Sequence, residues 1–147
     1  MNSIPLRSDR SNCSLSLDPE LDIITHRKID KVLCGRPITL EEGISRVSFV
    51  AQENMAADET GLVHGGFIFG LADYAAMISV NHPNVVLGSA DVKFLKPVKV
   101  NDTLVAESIV QSSDGKKRIV NVTVRKGDTK VFEGVFTCFV LERHVLG

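Results

Sequence analysis

From residue 85 onward, apolar side chains return at every second position and are interrupted by short polar turns. Val120, Val122 and Val124 point one way while Asn121, Thr123 and Arg125 point the other, as in a strand with one face in a core. The pattern predicts four strands, at residues 85–95, 103–111, 117–126 and 130–141, with hairpin turns at Ser113-Asp114-Gly115 and Gly127-Asp128. A further strand is predicted at 39–51, where Val47, Phe49 and Ala51 alternate with Arg46, Ser48 and Val50.

The segment 62–80 reads differently, because almost every residue in it is apolar or small. It is predicted to be a helix, ended by Asn81-His82-Pro83-Asn84, where proline cannot continue it and asparagine tolerates the turn. A helix that is apolar all round must be enclosed, and in a chain of 147 residues a sheet wrapped around it is the available enclosure. Upstream, Asp18-Pro19-Glu20 offers an N-cap, a first-turn proline and an acidic first turn. That predicts a helix from residue 18 to Gly35, with Leu21, Ile24, Ile29, Val32 and Leu33 as its apolar side. Residues 1–17, rich in Ser, Asn and Arg, read as a flexible tail. The expected architecture is therefore one α+β domain over residues 18–147: an antiparallel sheet of about five strands curled around a long central helix.

Composition and charge mainly exclude. A formal net charge of -1 gives no electrostatic footprint for nucleic acid or an anionic membrane. There is neither an apolar run of spanning length nor a signal-peptide core, so a cytoplasmic protein with no membrane partner is expected. Cys13, Cys34 and Cys138 are odd in number and widely spaced, and His26, His64, His82 and His144 lack HExxH spacing, so no protein-bound catalytic metal is expected.

Candidate chemistry concentrates where the chain enters the central helix. Gly65 and Gly66 would let a substrate carbonyl reach the free amides of the first turn, at the positive end of the helix dipole, where an oxyanion is stabilised. Asp73 is the one carboxylate in this apolar helix, a costly placement that marks it for function as general base or as nucleophile. His64 has no triad-like partners in the sequence, and its expected part in this centre is to fix the turn or orient the substrate.

The run Gly61-Leu62-Val63-His64-Gly65-Gly66, then Asp73, then Asp91-Val92-Lys93-Phe94-Leu95-Lys96-Pro97, resembles the hotdog-fold acyl-CoA thioesterases over residues 33–140, particularly the phenylacetate-pathway and 4-hydroxybenzoyl-CoA branch. The resemblance implies a hotdog fold and hydrolysis of an acyl-CoA thioester, with coenzyme A as part of the substrate rather than a cofactor. It puts the oxyanion contact at Gly65 and the essential acid at Asp73. It implies assembly as a homodimer or a dimer of dimers. Asp58 stands where relatives often carry Asn or Gln to hold water or the thioester, and Asn54 is a candidate substitute. The phosphates of coenzyme A suggest Lys93, Lys96 and Lys99 as substrate-binding residues, with Arg125 and Lys126 less favoured.

Helix geometry points the same way on assembly: a continuous helix puts Asp73 about 13 Å from its start, too far for one chain's base and oxyanion donors to meet one thioester, so shared sites are expected. Phe67, Phe69, Tyr74 and Met77 are candidates to line an acyl pocket. A non-catalytic acyl-CoA-binding or sensing domain is the rival reading, disfavoured because a sensor needs no base and because no helix-turn-helix pattern precedes the domain in this sequence. A hotdog dehydratase is a second rival and lacks its signature motifs.

Overall fold

The structure is a computed structural model and describes residues 21–147; the expected tail at 1–17 and the expected cap at Asp18 lie outside the described residues. In chain order the elements are α1 (Lys31–Cys34), β1 (Arg36–Glu41), β2 (Ile44–Val50), a 3-10 turn (Glu53–Met55), α2 (Gly65–Val80), β3 (Val85–Phe94), β4 (Thr103–Asp114), β5 (Lys117–Lys126) and β6 (Thr129–Val140). The strands form one antiparallel sheet in the order β1-β2-β4-β5-β6-β3, curled around α2, which touches all six. This is the hotdog architecture.

The expected curled antiparallel sheet is present, with six strands among the described residues where about five were expected. The run read as one strand at 39–51 belongs to two, because the chain reverses between Glu41 and Ile44 with Gly43 at φ 77°, and β1 pairs back on β2. The helix expected up to Gly35 is, among the described residues, only the four-residue α1. Its start is set by Asp30, whose carboxylate accepts the amides of Val32 and Leu33 at 2.8 and 3.0 Å. Upstream, the β-branched run Ile23-Ile24-Thr25 favours extended chain, and its apolar residues make no helical face. Ile23 and Ile29 pack on the core while Ile24, Val32 and Leu33 are exposed.

α2 has its predicted character. Leu71, Ala72, Ala75, Ala76 and Ile78 are inaccessible, and opposite them the sheet contributes Val47, Phe49, Leu104, Val120, Val124, Phe132 and Phe136. Truncating any one of these phenylalanines typically costs about 3–5 kcal/mol. Buried serines tie helix to sheet: Ser45 donates to the carbonyl of Ala75 at 2.7 Å, and Ser108 to Ser79 Oγ at 2.9 Å. Enclosure is nevertheless incomplete. Gly66 is exposed and Gly70 and Asp73 are half-buried, a stripe at helical spacing on the side the open sheet does not reach.

β3 lies at one end of the strand order, so one of its two edges has no strand beside it among the described residues. Its register on β6 slips between Leu87 and Ser89, where the ring of Phe139 fills the space a side chain on Gly88 would need. No helix among the described residues is long and apolar enough to cross a membrane.

Candidate active site

The approach to α2 is held on two sides. His64 N donates to the carbonyl of Met55 at 2.9 Å, which fastens the helix start to the 3-10 turn carrying Asn54. On the other side Val63 N donates to Val98 O at 2.8 Å, Val100 N to Gly61 O at 2.9 Å, and Leu62 bridges Lys99. His64 is then the N-cap in extended conformation, and its side chain does not cap the helix. Among the described residues the amides of Gly65 and Gly66 have no acceptor, whereas that of Phe67 already turns back to His64 O at 3.1 Å. Two free N–H groups at the positive end of a 16-residue helix can donate to an anionic oxygen.

Both glycines are closely approached by neighbouring rings. A Cβ on Gly66 would stand 3.1 Å from Cδ2 of His64, and one on Gly65 would stand 3.1 Å from the ring of Phe94. The His64 ring therefore lies over Gly66, with its edge toward Phe67 at a centroid distance of 6.2 Å. It roofs the helix entrance without donating to it.

Asp73 is two turns along. Its Oδ1 is buried and has no hydrogen-bond partner among the described residues. Burial pushes its carboxyl up from 3.8 to about 6. The same carboxylate raises the thiols of Cys34 and Cys138, to about 12 for Cys138, where burial is the larger cause in both. The carboxylate borders a pocket of about 410 Å3 whose other walls include Met77, Val85, Val86 and Leu87. Thr25, His26 and His144 also line it. Sequence reading attached no role to these three. His26 and His144 sit at opposite ends of the chain, and no local spacing connects them to Asp73.

The remaining candidates are distributed unevenly. Lys96 and Lys99 are exposed, Lys99 within and Lys96 just before the segment 98–100 that pairs with residues 61–63, so they stand beside the helix entrance. Lys93 does not join them. Its neighbour Phe94 faces inward onto Phe132 at 5.1 Å, so alternation turns Lys93 to the outer face of the sheet, opposite Glu133. Lys126 is engaged by Asp102 at 2.9 Å, and Arg125 lies on the outer face with Arg46 and Glu107. Asp58 is exposed, and its carboxylate accepts Thr60 Oγ1 at 2.6 Å and Thr60 N at 2.9 Å, bonds that hold its pKa down. It shapes the loop before α2. Of the four residues suggested for an acyl pocket, only Met77 meets the pocket at Asp73; Tyr74 is core, Phe69 packs on Phe136 at 5.5 Å, and Phe67 packs on His64. Among the described residues no three His, Cys, Asp or Glu side chains gather as a metal site.

Comparison with known proteins supplies relatives for this arrangement. A solved structure of an uncharacterised Pyrococcus horikoshii protein is 51% identical, with a TM-score of 0.85 over 86% of this chain and 98% of that one. The Aquifex aeolicus protein named methylthioribose-1-phosphate isomerase is 53% identical over 123 residues, which is 83% of this chain but 27% of that one. The transcription factor FapR of Caldanaerobacter subterraneus subsp. tengcongensis is 33% identical over 126 residues, 82% of this chain and 63% of that one. The chain thus spans less than two thirds of the length of these two curated relatives. The family profile described as the thioesterase superfamily matches residues 60–133, half of the chain, from the loop before α2 into β6. That stretch holds the glycine pair, Asp73 and the edge strand together, and the chain belongs to the thioesterase superfamily.

Proposed function

We propose that the chain is an acyl-CoA thioesterase working as a dimer with shared sites. The observation that carries the reading is the unpartnered Oδ1 of Asp73, buried on the uncovered stripe of α2 with its pKa raised to about 6. Nothing in the fold requires a carboxylate there, and a pKa near 6 suits a base that is mostly ionised at neutral pH yet able to return a proton.

From Gly65 to Asp73 the helix rises about 12 Å, so one chain's cradle and carboxylate cannot both contact one thioester. The free edge of β3 offers a solution. Phe94, at one end of β3, touches the Gly65 position, while Val85, Val86 and Leu87, at the other end, share the pocket of Asp73. Antiparallel pairing of β3 with its copy across a two-fold axis would lay the Gly65 end of one chain against the Asp73 end of the other, twice.

In that site the Gly65 and Gly66 amides hold the thioester oxygen. Asp73 of the other chain takes a proton from water as the water oxygen bonds to the carbonyl carbon. The tetrahedral intermediate then expels coenzyme A as thiolate, which recovers the proton, leaving the free acid. In the alternative course, an Asp73 oxygen attacks the carbonyl carbon and expels coenzyme A as thiolate, and water then hydrolyses the resulting anhydride, giving the free acid and the Asp73 carboxylate while its proton goes to the thiolate. Lys96 and Lys99, exposed beside the helix entrance, are the residues assigned in this reading to the phosphates of coenzyme A.

A second reading, a non-catalytic acyl-CoA-binding or sensing domain, is favoured by the likeness to the transcription factor FapR over most of this chain. The buried carboxylate of Asp73 weighs against it, because a sensor needs no base. The deciding experiment is hydrolysis of short, medium, long and aromatic acyl-CoA thioesters followed by release of free thiol, with Asp73→Asn as control. Turnover that depends on Asp73 supports the thioesterase; tight binding without turnover by the wild type supports the sensor.

A further inference from the structure

The pocket beside Asp73 has unlike walls. Met77 and Leu87 are apolar, whereas Thr25, His26 and His144 bring hydrogen-bonding groups. The segment carrying Thr25 and His26 is fixed by α2 itself. Asn81, the left-handed C-cap of that helix, accepts Ile24 N through Oδ1 at 2.9 Å and donates through Nδ2 to Asp22 O at 2.7 Å. His26 follows at φ 55°, a conformation that a residue other than glycine keeps only where its surroundings impose it.

The two imidazoles share a feature. His144 Nδ1 accepts Leu146 N at 3.0 Å, which leaves the neutral ring with its proton on Nε2. His26 Nδ1 lies 2.9 Å from Thr25 Oγ1, and a hydroxyl donating there gives the same tautomer. Burial lowers the His26 pKa, which keeps that ring neutral at physiological pH. In each ring the Nδ1 edge is occupied and the Nε2 edge is left for a ligand. His26 is half-buried, so a hydrocarbon acyl chain laid over it would strip water from its Nε2–H without returning an acceptor, a cost that an oxygen atom on the chain removes, whereas the exposed His144 keeps access to water.

We propose that His26 and His144 are specificity-determining residues of this pocket: their Nε2–H groups hold an oxygen on the acyl chain, so that thioesters of short hydroxy or oxo acids are preferred over those of plain fatty acids. A volume of about 410 Å3 is at the small end for ligand pockets and suits short acyl groups. The proposal deepens the acyl-CoA reading and rests on it for the identity of the ligand, though not for turnover.

The test uses ligands that cannot be hydrolysed. S-(2-oxopentyl)-CoA and S-(4-hydroxy-2-oxopentyl)-CoA are thioether ketones that imitate the butyryl and 3-hydroxybutyryl thioesters, and their binding to the full chain is measured by titration calorimetry. The wild type is expected to bind the hydroxylated analogue about ten-fold more tightly, the discrimination that one or two hydrogen bonds supply. The double variant His26→Phe with His144→Phe is expected to bind the two equally, and His26→Gln, which keeps a donor, to retain part of the preference. His144→Phe alone serves if the His26 variants do not fold. Equal binding of the two analogues by the wild type, or a preference that survives in the folded double variant, overturns the proposal while leaving the thioesterase reading intact. Binding of neither analogue by the wild type overturns both. Absence of hydrolysis alongside discriminating binding overturns only the thioesterase.

Discussion

The ring of Phe94 stands 3.1 Å from where a Cβ on Gly65 would lie, so the last residue of the edge strand closes over the first residue of the central helix. Phe94 is 56% exposed and can give way by the few tenths of an ångström a methyl group needs. Gly65→Ala is therefore expected to fold with a melting temperature within a few degrees of wild type, yet to lose about ten-fold in turnover, because the displaced ring and the new methyl crowd the approach to the free amide. Thermal melts and steady-state thiol release on one preparation check this. Wild-type turnover in Gly65→Ala would remove the Gly65 amide from the oxyanion cradle.

Asp73→Asn is expected to lower turnover by about two to four powers of ten while making the protein more stable at neutral pH. The folded carboxyl titrates near 6 against an ordinary 3.8, so the folded state binds its proton more tightly than the unfolded chain. The stability it gives is full below pH 3.8 and is lost as pH rises through 6. At pH 7 the ionised carboxylate costs the wild type at most about 3 kcal/mol, which the amide does not incur, though it leaves its own polar atoms buried. Urea titrations at pH 4 and pH 7 should show the variant's advantage only at pH 7. An equal difference at both values would mean that Asp73 is not desolvated in solution.

The same pKa sets the acid limb of activity. With Asp73 as base or nucleophile, kcat/KM should fall about ten-fold for each pH unit below about 6, and a limb near 4 would mean that the catalytic carboxylate is ionised as in water.

The helix, the strand positions and the glycine pair were legible because each rests on local pattern: alternation for the strands, an unbroken apolar run for α2, and His64-Gly65-Gly66 at its entrance. The hairpin at Gly43 was missed because both of its strands share one β-like composition and the turn is short. The stretch 22–30 was misread for the opposite reason, since its conformation is dictated by Asn81, more than fifty residues away, and by the cap at Asp30 rather than by its own periodicity. His26 and His144 escaped for a related reason: their neighbourhood with Asp73 exists only after the segment around Thr25 has been laid across the end of α2. Lys93 was grouped with Lys96 and Lys99 by proximity in sequence, but strand alternation parts it from them.

That parting is itself testable. Coenzyme A should raise the melting temperature by mass action, and Lys96→Ala or Lys99→Ala should reduce the shift, whereas Lys93→Ala on the outer face should leave it unchanged. Dephospho-coenzyme A should give a smaller shift than coenzyme A if either of the two flanking lysines meets the 3′-phosphate. A loss of shift specific to Lys93→Ala would place the nucleotide on the other side of the sheet.

Shared sites make the most demanding prediction. β3 offers a ten-residue edge with no strand beside it among the described residues, a surface that proteins seldom leave open, and pairing it antiparallel with its copy would bring Gly65 of one chain near Asp73 of the other. Sedimentation velocity should find a dimer or a multiple of one, and Ala90→Arg, placed on the exposed middle of β3, should shift it toward monomer and abolish turnover together. Complementation then asks which chain supplies which group. Asp73→Asn lacks every base, and Gly65→Trp blocks every cradle, so each homodimer is inactive once it has been shown to be folded and dimeric. After co-refolding in equal amounts, about half of the dimers are mixed by random pairing. In a mixed dimer one site combines the two lesions and the other has an intact Asp73 facing an intact Gly65, so about a quarter of wild-type activity should return. A site built within one chain predicts none, because every chain in the mixture carries a lesion. Mixed dimers verified by mass and still inactive would therefore exclude sharing, and the base would have to reach its own helix entrance through a conformation with α2 broken between Gly65 and Asp73.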